Sequence, residues 1–148
     1  VIAMATIEVT LLFTLEMNIE EGNQVIGAIP QGARAIGYVN GTFSGPRIKG
    51  TIRACDWFLT RADGIGEADV RGILKTDDGA LIYMNYQGLL DLRGVGGAPP
   101  EAGVCPLRTT VRFETSAENY LDLNKVQAIG IGDVSFATGQ IRYSIYAL

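Results

Sequence analysis

The sequence predicts an all-β chain, a single antiparallel β-barrel of about eight strands around a central small-molecule cavity. Three observations carry that expectation. The chain opens on a clean period-two alternation, a series of strand-like runs follows between turn residues, and 19 glycines accompany no long amphipathic stretch at helical period. Closure is expected over a sandwich because strands this long would otherwise leave unpaired edges. About eight strands leave an interior that is either filled or holds one small ligand. At 148 residues the chain fits one domain over 1–148, long enough to bury a core.

In the first segment Ile7, Val9, Leu11, Phe13, Leu15, Met17 and Ile19 point one way, with Glu8, Thr10, Leu12, Thr14, Glu16, Asn18 and Glu20 opposite. This is a long strand with one buried face, ended by the turn "EEGN" (20–23). Further runs follow at Arg34–Asn40, Arg47–Leu59, Ala68–Thr76, Ala80–Tyr86, Thr110–Thr115, Val126–Ile131 and Gln140–Ala147. "NGTFSGP" (40–46), "RADGIG" (61–66), "TDDGA" (76–80) and "ATGQ" (137–140) punctuate them, and the Asp-Gly pairs at 63–64 and 78–79 signal hairpins. "SAENYLDLN" (116–124) is the best helical candidate, opened by Ser116 or Asn119. "RGVGGAPPEAGVCP" (93–106) is too long for a simple turn and reads as a lid at one barrel mouth.

Composition narrows the function. Hydrophobic residues make up 47% and charged residues 19%, with a mean hydropathy of +0.19, which suits a folded domain rather than a disordered one. The net charge of −4 offers no basic excess for a nucleic-acid partner. No apolar run is long enough to span a membrane. The apolar start lacks a basic leader and carries Glu8 and Thr10, so it reads as a strand rather than a signal peptide. Two cysteines, Cys55 and Cys105, make neither a disulfide scaffold nor a metal motif, and free thiols in a reducing cytoplasm are expected.

The chain contains no histidine. That excludes a Ser-His-Asp triad and a Cys-His dyad, and it removes the commonest ligand of zinc, copper and non-haem iron. The expectation is therefore chemistry without metal or cofactor, resting on carboxylates, Arg, Lys, Tyr, Cys or backbone dipoles.

Residues two apart in a strand share a face. Ile52, Ala54, Asp56 and Phe58 therefore lie opposite Arg53, Cys55, Trp57 and Leu59, while Arg112 and Glu114 share a face, as do Met84 and Tyr86. A barrel whose outer face is apolar would bring Asp56, Arg112, Glu114, Tyr86 and Arg34 together in a buried polar pocket. Burial raises a carboxyl pKa and a paired Arg lowers it, so such a pocket holds either a general acid or base or an anchor. Arg34 or Arg112 would bind a carboxylate or oxyanion, and Tyr86 or Tyr38 would donate to a carbonyl. The plain alternative makes these charges ion pairs or a solvated surface, the reading preferred for Asp69 and Arg71, and makes Trp57 a packing residue. Asp77 and Asp78 lack the spacing of a calcium loop and read as hairpin residues. "GVGG" (94–97) lacks the strand–helix context of a dinucleotide fingerprint.

"IPQGARAIGYVNGTFSGPRIKGTI" (29–52), "DWFLTRADGIGEADVRGILKTDDGALIYMNYQG" (56–88) and "RTTVRFETSAENYLDLNKVQAIGIG" (108–132) together resemble the DUF3237 family, also called UPF0311. The resemblance implies a barrel of the allene-oxide-cyclase or calycin kind, assembled as a homo-oligomer. It draws attention to Trp57 and to Arg34, Asp56, Arg112, Glu114 and Asn124, and turn geometry does not explain the last five. The chain departs from the family pattern at Ala54-Cys55 and at Pro106-Leu107, changes that would reshape the pocket rather than the scaffold.

Two functional readings follow. In the first, the protein is a cytoplasmic, cofactor-independent isomerase, cyclase or lyase acting on a small, apolar, oxygenated compound in secondary or aromatic metabolism. Asp56, Glu114 and Arg112 would be catalytic, and Arg34, Trp57, Tyr86, Asn124 and Tyr38 would bind substrate. In the second, the same barrel binds or carries a small hydrophobic ligand without turning it over. A third, blander reading fills the barrel with side chains in a structural oligomer.

Overall fold

The structure is a computed structural model that describes residues 2–93 and 104–148. Nine strands run in chain order: β1 (Thr10–Ile19), β2 (Gln24–Ile29), β3 (Gly32–Ser44), β4 (Lys49–Thr60), β5 (Ile65–Thr76), β6 (Leu81–Asp91), β7 (Cys105–Glu114), β8 (Ala128–Ser135) and β9 (Gln140–Ala147). Each of β3 to β9 pairs antiparallel with the next. β1 pairs with β9 on one edge and with β3 on the other, which closes an eight-stranded barrel, and β2 lies along the first half of β3 as a ninth strand.

The expected all-β barrel is therefore present, with differences in detail. The first strand begins at Thr10 rather than Ile7, because its partner β9 ends at Ala147 opposite Thr10; a bulge between Leu11 and Phe13 then shifts the register, and Leu11 is exposed. β2 escaped the sequence reading, since Gly27 interrupts its alternation and its residues are mostly exposed. β3 continues through the expected "NGTFSGP" turn to Ser44. Both Asp-Gly pairs do fall at turns, with Gly64 and Gly79 at φ of 84° and 91°, a left-handed backbone that glycine adopts without steric cost. The helical candidate is a 3-10 helix, Glu118–Lys125. The lid expected over 93–106 lies largely outside the described residues.

Alternation fills the interior. β7 shows it most plainly: Cys105, Leu107, Thr109, Val111 and Phe113 are buried while Pro106, Arg108, Thr110, Arg112 and Glu114 are exposed. At one end of the barrel Phe13 packs against Phe43 at 5.2 Å and edge-on to Phe113 at 5.9 Å. The 3-10 helix plugs this end with Tyr120 and Leu123. Arg47 pins the plug by a bidentate bond to Asp122 (2.9 and 2.7 Å), and the Tyr120 hydroxyl donates to Asp78 at 3.0 Å.

Midway up the barrel, Tyr143 lies across β8 with its hydroxyl against Gly130, where a Cβ would sit 2.0 Å from that oxygen. Its ring meets Tyr86 at 5.2 Å. The Tyr143 hydroxyl and the Thr109 hydroxyl are both buried without a hydrogen-bond partner among the described residues. A buried donor left unpaired costs about 1–3 kcal/mol. Tyr143→Phe is therefore expected to stabilise the fold by about 1 kcal/mol, read as a rise of roughly 2–4 °C in melting temperature for a chain of this size; a fall would show that the hydroxyl is satisfied in solution.

Candidate functional site

The other end of the barrel is not filled. A cavity of about 140 Å³ is bounded by Ile19, Val39, Phe58, Val70, Leu90, Leu107, Val134, Phe136 and Ile141, with Asp56, Tyr86, Tyr38 and Asn23 as its polar lining residues. Small residues make the space: Ala35, Gly37 and Ala68 stand where the plugged end carries aromatic and branched side chains. Leu107 of β7 lines the cavity directly. An engineered cavity of about 150 Å³ accommodates benzene, so the space suits one small ring or the end of a longer molecule.

Asp56 is carried into this space by the alternation of β4, on the inward face with Ile52 and Ala54. It stands opposite Gly37 on β3 and Val70 on β5. Oδ1 accepts the backbone N–H of Asp69 at 3.1 Å, and no other hydrogen bond to this carboxyl exists among the described residues. Burial pushes its pKa up to about 6. The Asp69 amide opposes that rise, the Asp69 carboxylate adds to it, and the Arg34 guanidinium lowers it slightly. A carboxyl balanced near neutral pH can both take and return a proton.

Tyr86 comes from β6, facing Val70 and Val111. Burial, reinforced by the charge of Asp56, drives its pKa far upward, so the phenol stays protonated and serves as a donor. A carboxyl acceptor and a phenol donor thus share one apolar chamber.

The expected convergence of five polar groups does not form. Arg112 and Glu114 are exposed on the outer face of β7, because their inward neighbours Val111 and Phe113 occupy the core. Arg112 lies in a shallow outer depression with Asn85 and Gln127, and Glu114 in another with Tyr83 and Leu81. Trp57 is outward and 44% exposed. Tyr38 does border the cavity, but its ring is partly exposed and lies beneath the Arg53 guanidinium at 5.1 Å. Arg34 does not enter the cavity; its Nη1 donates to the Trp57 carbonyl at 2.6 Å.

Asn124 is architectural: its side chain bonds both the amide and the carbonyl of Thr115 (2.9 and 2.8 Å) and the Leu121 carbonyl, tying β7 to the 3-10 helix. Neither cysteine is in a disulfide; Cys105 is buried, and burial raises its thiol pKa. Phe58 lies on the face that spacing assigned it with Asp56, while sequence reasoning missed Asn23 and Phe136, which come from turns rather than from a periodic run. Among the described residues no group of three or more metal-ligating side chains comes together, and no helix is long and apolar enough to cross a membrane.

Fold and site together define a small closed β-barrel with one carboxyl in an apolar internal cavity. Residues 7–148 match the family described as DUF3237, protein of unknown function, and the chain belongs to it. It is 28% identical over 134 residues to UPF0311 protein RPA1785 of Rhodopseudomonas palustris, covering 84% of this chain and 87% of that one. The crystal structure of that protein superposes with a TM-score of 0.80 at 25% identity, over 97% of this chain and 99% of that chain. A β-barrel-like protein from Acinetobacter baumannii gives a TM-score of 0.82 at 27% identity, over 98% of each chain. A protein from Penicillium herquei, described as an enzyme, gives 0.66 at 22% identity, over 98% of this chain and 99% of that one. At that distance the likeness shows the fold.

Two outcomes follow. Because the folded-state pKa of Asp56 is raised above its ordinary 3.8, this residue contributes stability that is complete below pH 3.8 and is lost as pH rises through about 6. Asp56→Asn keeps an acceptor for the Asp69 amide and cannot ionise. Its stability advantage over the parent, followed by urea unfolding, is expected to grow from pH 4 to pH 7 to roughly 2–3 kcal/mol. Arg112→Ala and Glu114→Gln should each change stability by no more than about 0.5 kcal/mol and leave the Asp56 titration, followed by carboxyl NMR, where it was.

Proposed function

We propose that the protein is an enzyme that needs no cofactor and shifts a proton on a small, apolar, oxygenated molecule, with Asp56 as the acid–base group and Tyr86 as the hydrogen-bond donor. One observation carries this reading: a single carboxyl, poised near neutral pH, faces an apolar chamber that also holds a protonated phenol. The reaction that fits is isomerisation or cyclisation of an unsaturated carbonyl compound. The Asp56 carboxylate removes a proton from the carbon next to the conjugated system, and the electron pair moves onto the carbonyl oxygen. Tyr86 stabilises the resulting enolate by a hydrogen bond. The protonated Asp56 then returns the same proton to a different carbon, so nothing is gained or lost overall.

The absence of histidine leaves this chemistry to the carboxyl, and carboxyl-mediated transfer is sufficient for it. The Penicillium herquei protein supports a catalytic reading at the level of fold analogy. A carrier of small hydrophobic ligands is the second reading, favoured by the outward placement of Arg112 and Glu114, which leaves Asp56 as the only charged side chain lining the chamber among the described residues.

Incubation with a panel of small cyclic enones, with product identified by mass spectrometry and NMR, separates the two. Turnover should rise with pH through a limb near 6 and fall about 10²–10⁴-fold in Asp56→Asn while the enone still binds. Binding of the panel without turnover at any pH sinks the enzyme reading and leaves the carrier.

A further inference from the structure

We infer that Arg34 is a positioning residue for Asp56: by capping the Trp57 carbonyl from the outer face, it leaves the Asp69 amide to the Asp56 carboxyl and so holds that carboxyl at the cavity. The β4–β5 register pairs Asp56 with Val70 and Leu59 with Glu67. Trp57 and Asp69 are therefore opposite each other, yet they and the next pair, Phe58 and Ala68, drop out of the ladder. At this break two groups that would face each other in a continuous sheet have found other partners. The Asp69 N–H goes to Asp56 Oδ1 at 3.1 Å, and the Trp57 carbonyl accepts Arg34 Nη1 at 2.6 Å.

The two substitutions depend on each other. A main-chain carbonyl in a half-covered wall needs a donor, and without the Arg34 guanidinium the available one is the Asp69 amide across the strand gap. Were the amide to return to Trp57, the ladder would close and Asp56 would lose the hydrogen bond that fixes its rotamer. Arg34 reaches this point from β3, where it stands outward opposite Leu59.

The break also lies between two spaces. Asp56, Phe58 and Ala68 border the inner cavity, while Arg34, Trp57, Ala68 and Asp69 border an open groove on the outer wall. The charged and titratable groups bearing on Asp56 are Arg34 from β3, Asp69 from β5 and Tyr86 from β6. Arg34 is the only cation among them. Its loss removes both the cap on Trp57 and the one positive charge, and both changes disfavour the ionised carboxyl.

This inference rests on Asp56 as the reactive group, but its test reads the carboxyl directly and needs no substrate. In the parent, the Asp69 amide proton is expected to shift with pH about the Asp56 midpoint, and Asp56→Asn identifies that response by abolishing it. In Arg34→Ala the response should fall by at least half and the midpoint of the Asp56 carboxyl should rise by roughly one unit. Arg34→Lys, which keeps a donor and a charge, should recover most of both. A folded Arg34→Ala whose Asp69 response and Asp56 midpoint match the parent overturns the inference. If Arg34→Ala does not fold, Arg34→Gln and Arg34→Met decide: the Gln amide can still cap Trp57 and Met cannot, so the Asp69 response should persist in the first and fall by at least half in the second, and an equal response in both overturns the inference. Neither overturning result touches the proton-transfer reading, which stands or falls with enone turnover.

Discussion

The bonding of β1 on both of its edges governs the rest of this structure. Residues 14–18 of β1 are paired at once with β9 and with β3; Met17, for example, stands between Ile141 and Gly41. A sheet that closes on itself leaves little edge to protect, here the first half of β3, which β2 lines, and it divides every strand into an inside and an outside with no third choice. That division decides which polar residues can meet. Arg112 and Glu114 share a face, but Phe113 and Val111 own the interior at that level, so both charges face outward. Asp56 is inward because its face on β4 is shared with Ile52 and Ala54, which the core requires.

Closure also explains why the cavity occupies one end only. An eight-stranded barrel is narrow enough for side chains to fill it, and at the plugged end Phe13, Phe43 and Phe113 do so. At the other end Ala35, Gly37 and Ala68 withhold volume from the same cross-section. Tyr86 and Tyr143 form the boundary between the filled half and the hollow half, their tilted rings 5.2 Å apart. Asp56 faces the hollow side of that boundary. There its charge meets low dielectric and one amide rather than water, so desolvation outweighs the hydrogen bond and the pKa settles near 6.

Most of the fold was legible because binary patterning and turn chemistry act locally. The alternation from Phe13 to Met17 and the Asp-Gly pairs report their own geometry. What escaped depended on partners far along the chain. β2 is exposed and interrupted by Gly27, and it is a strand only because β3 offers an edge. Spacing placed Asp56 on one face of β4 with Ile52 and Ala54, and the core those two join makes that face the inward one. The expected company of Asp56 was not readable, since it assumed an apolar outer wall. Outward Arg, Glu and Lys make that wall polar, so the sequence-level parity of Arg112 and Glu114 gave a shared face and no indication of which face it was. Asn124 shows the same limit: nothing in the sequence distinguishes a ligand-binding amide from one that ties Thr115 to the helix.

The position of Asp56 carries a cost that packing alone does not require. An inward alanine or valine would fill the same wall without a desolvated charge, and the β4–β5 ladder could then run unbroken through Trp57 and Asp69. Instead the ladder opens for two residues, an amide turns to the carboxyl, and an arginine from the next strand takes up the carbonyl left behind. Three residues on three strands thus adjust around one side chain. A barrel wall is only one strand thick, so groups on the outer surface lie within electrostatic reach of the interior, and Arg34 acts on Asp56 without entering the cavity. Local disorder in the hydrogen-bond ladder, organised about a single ionisable group, is what separates this site from the ordinary core below it and marks the hollow end of the barrel as its chemical end.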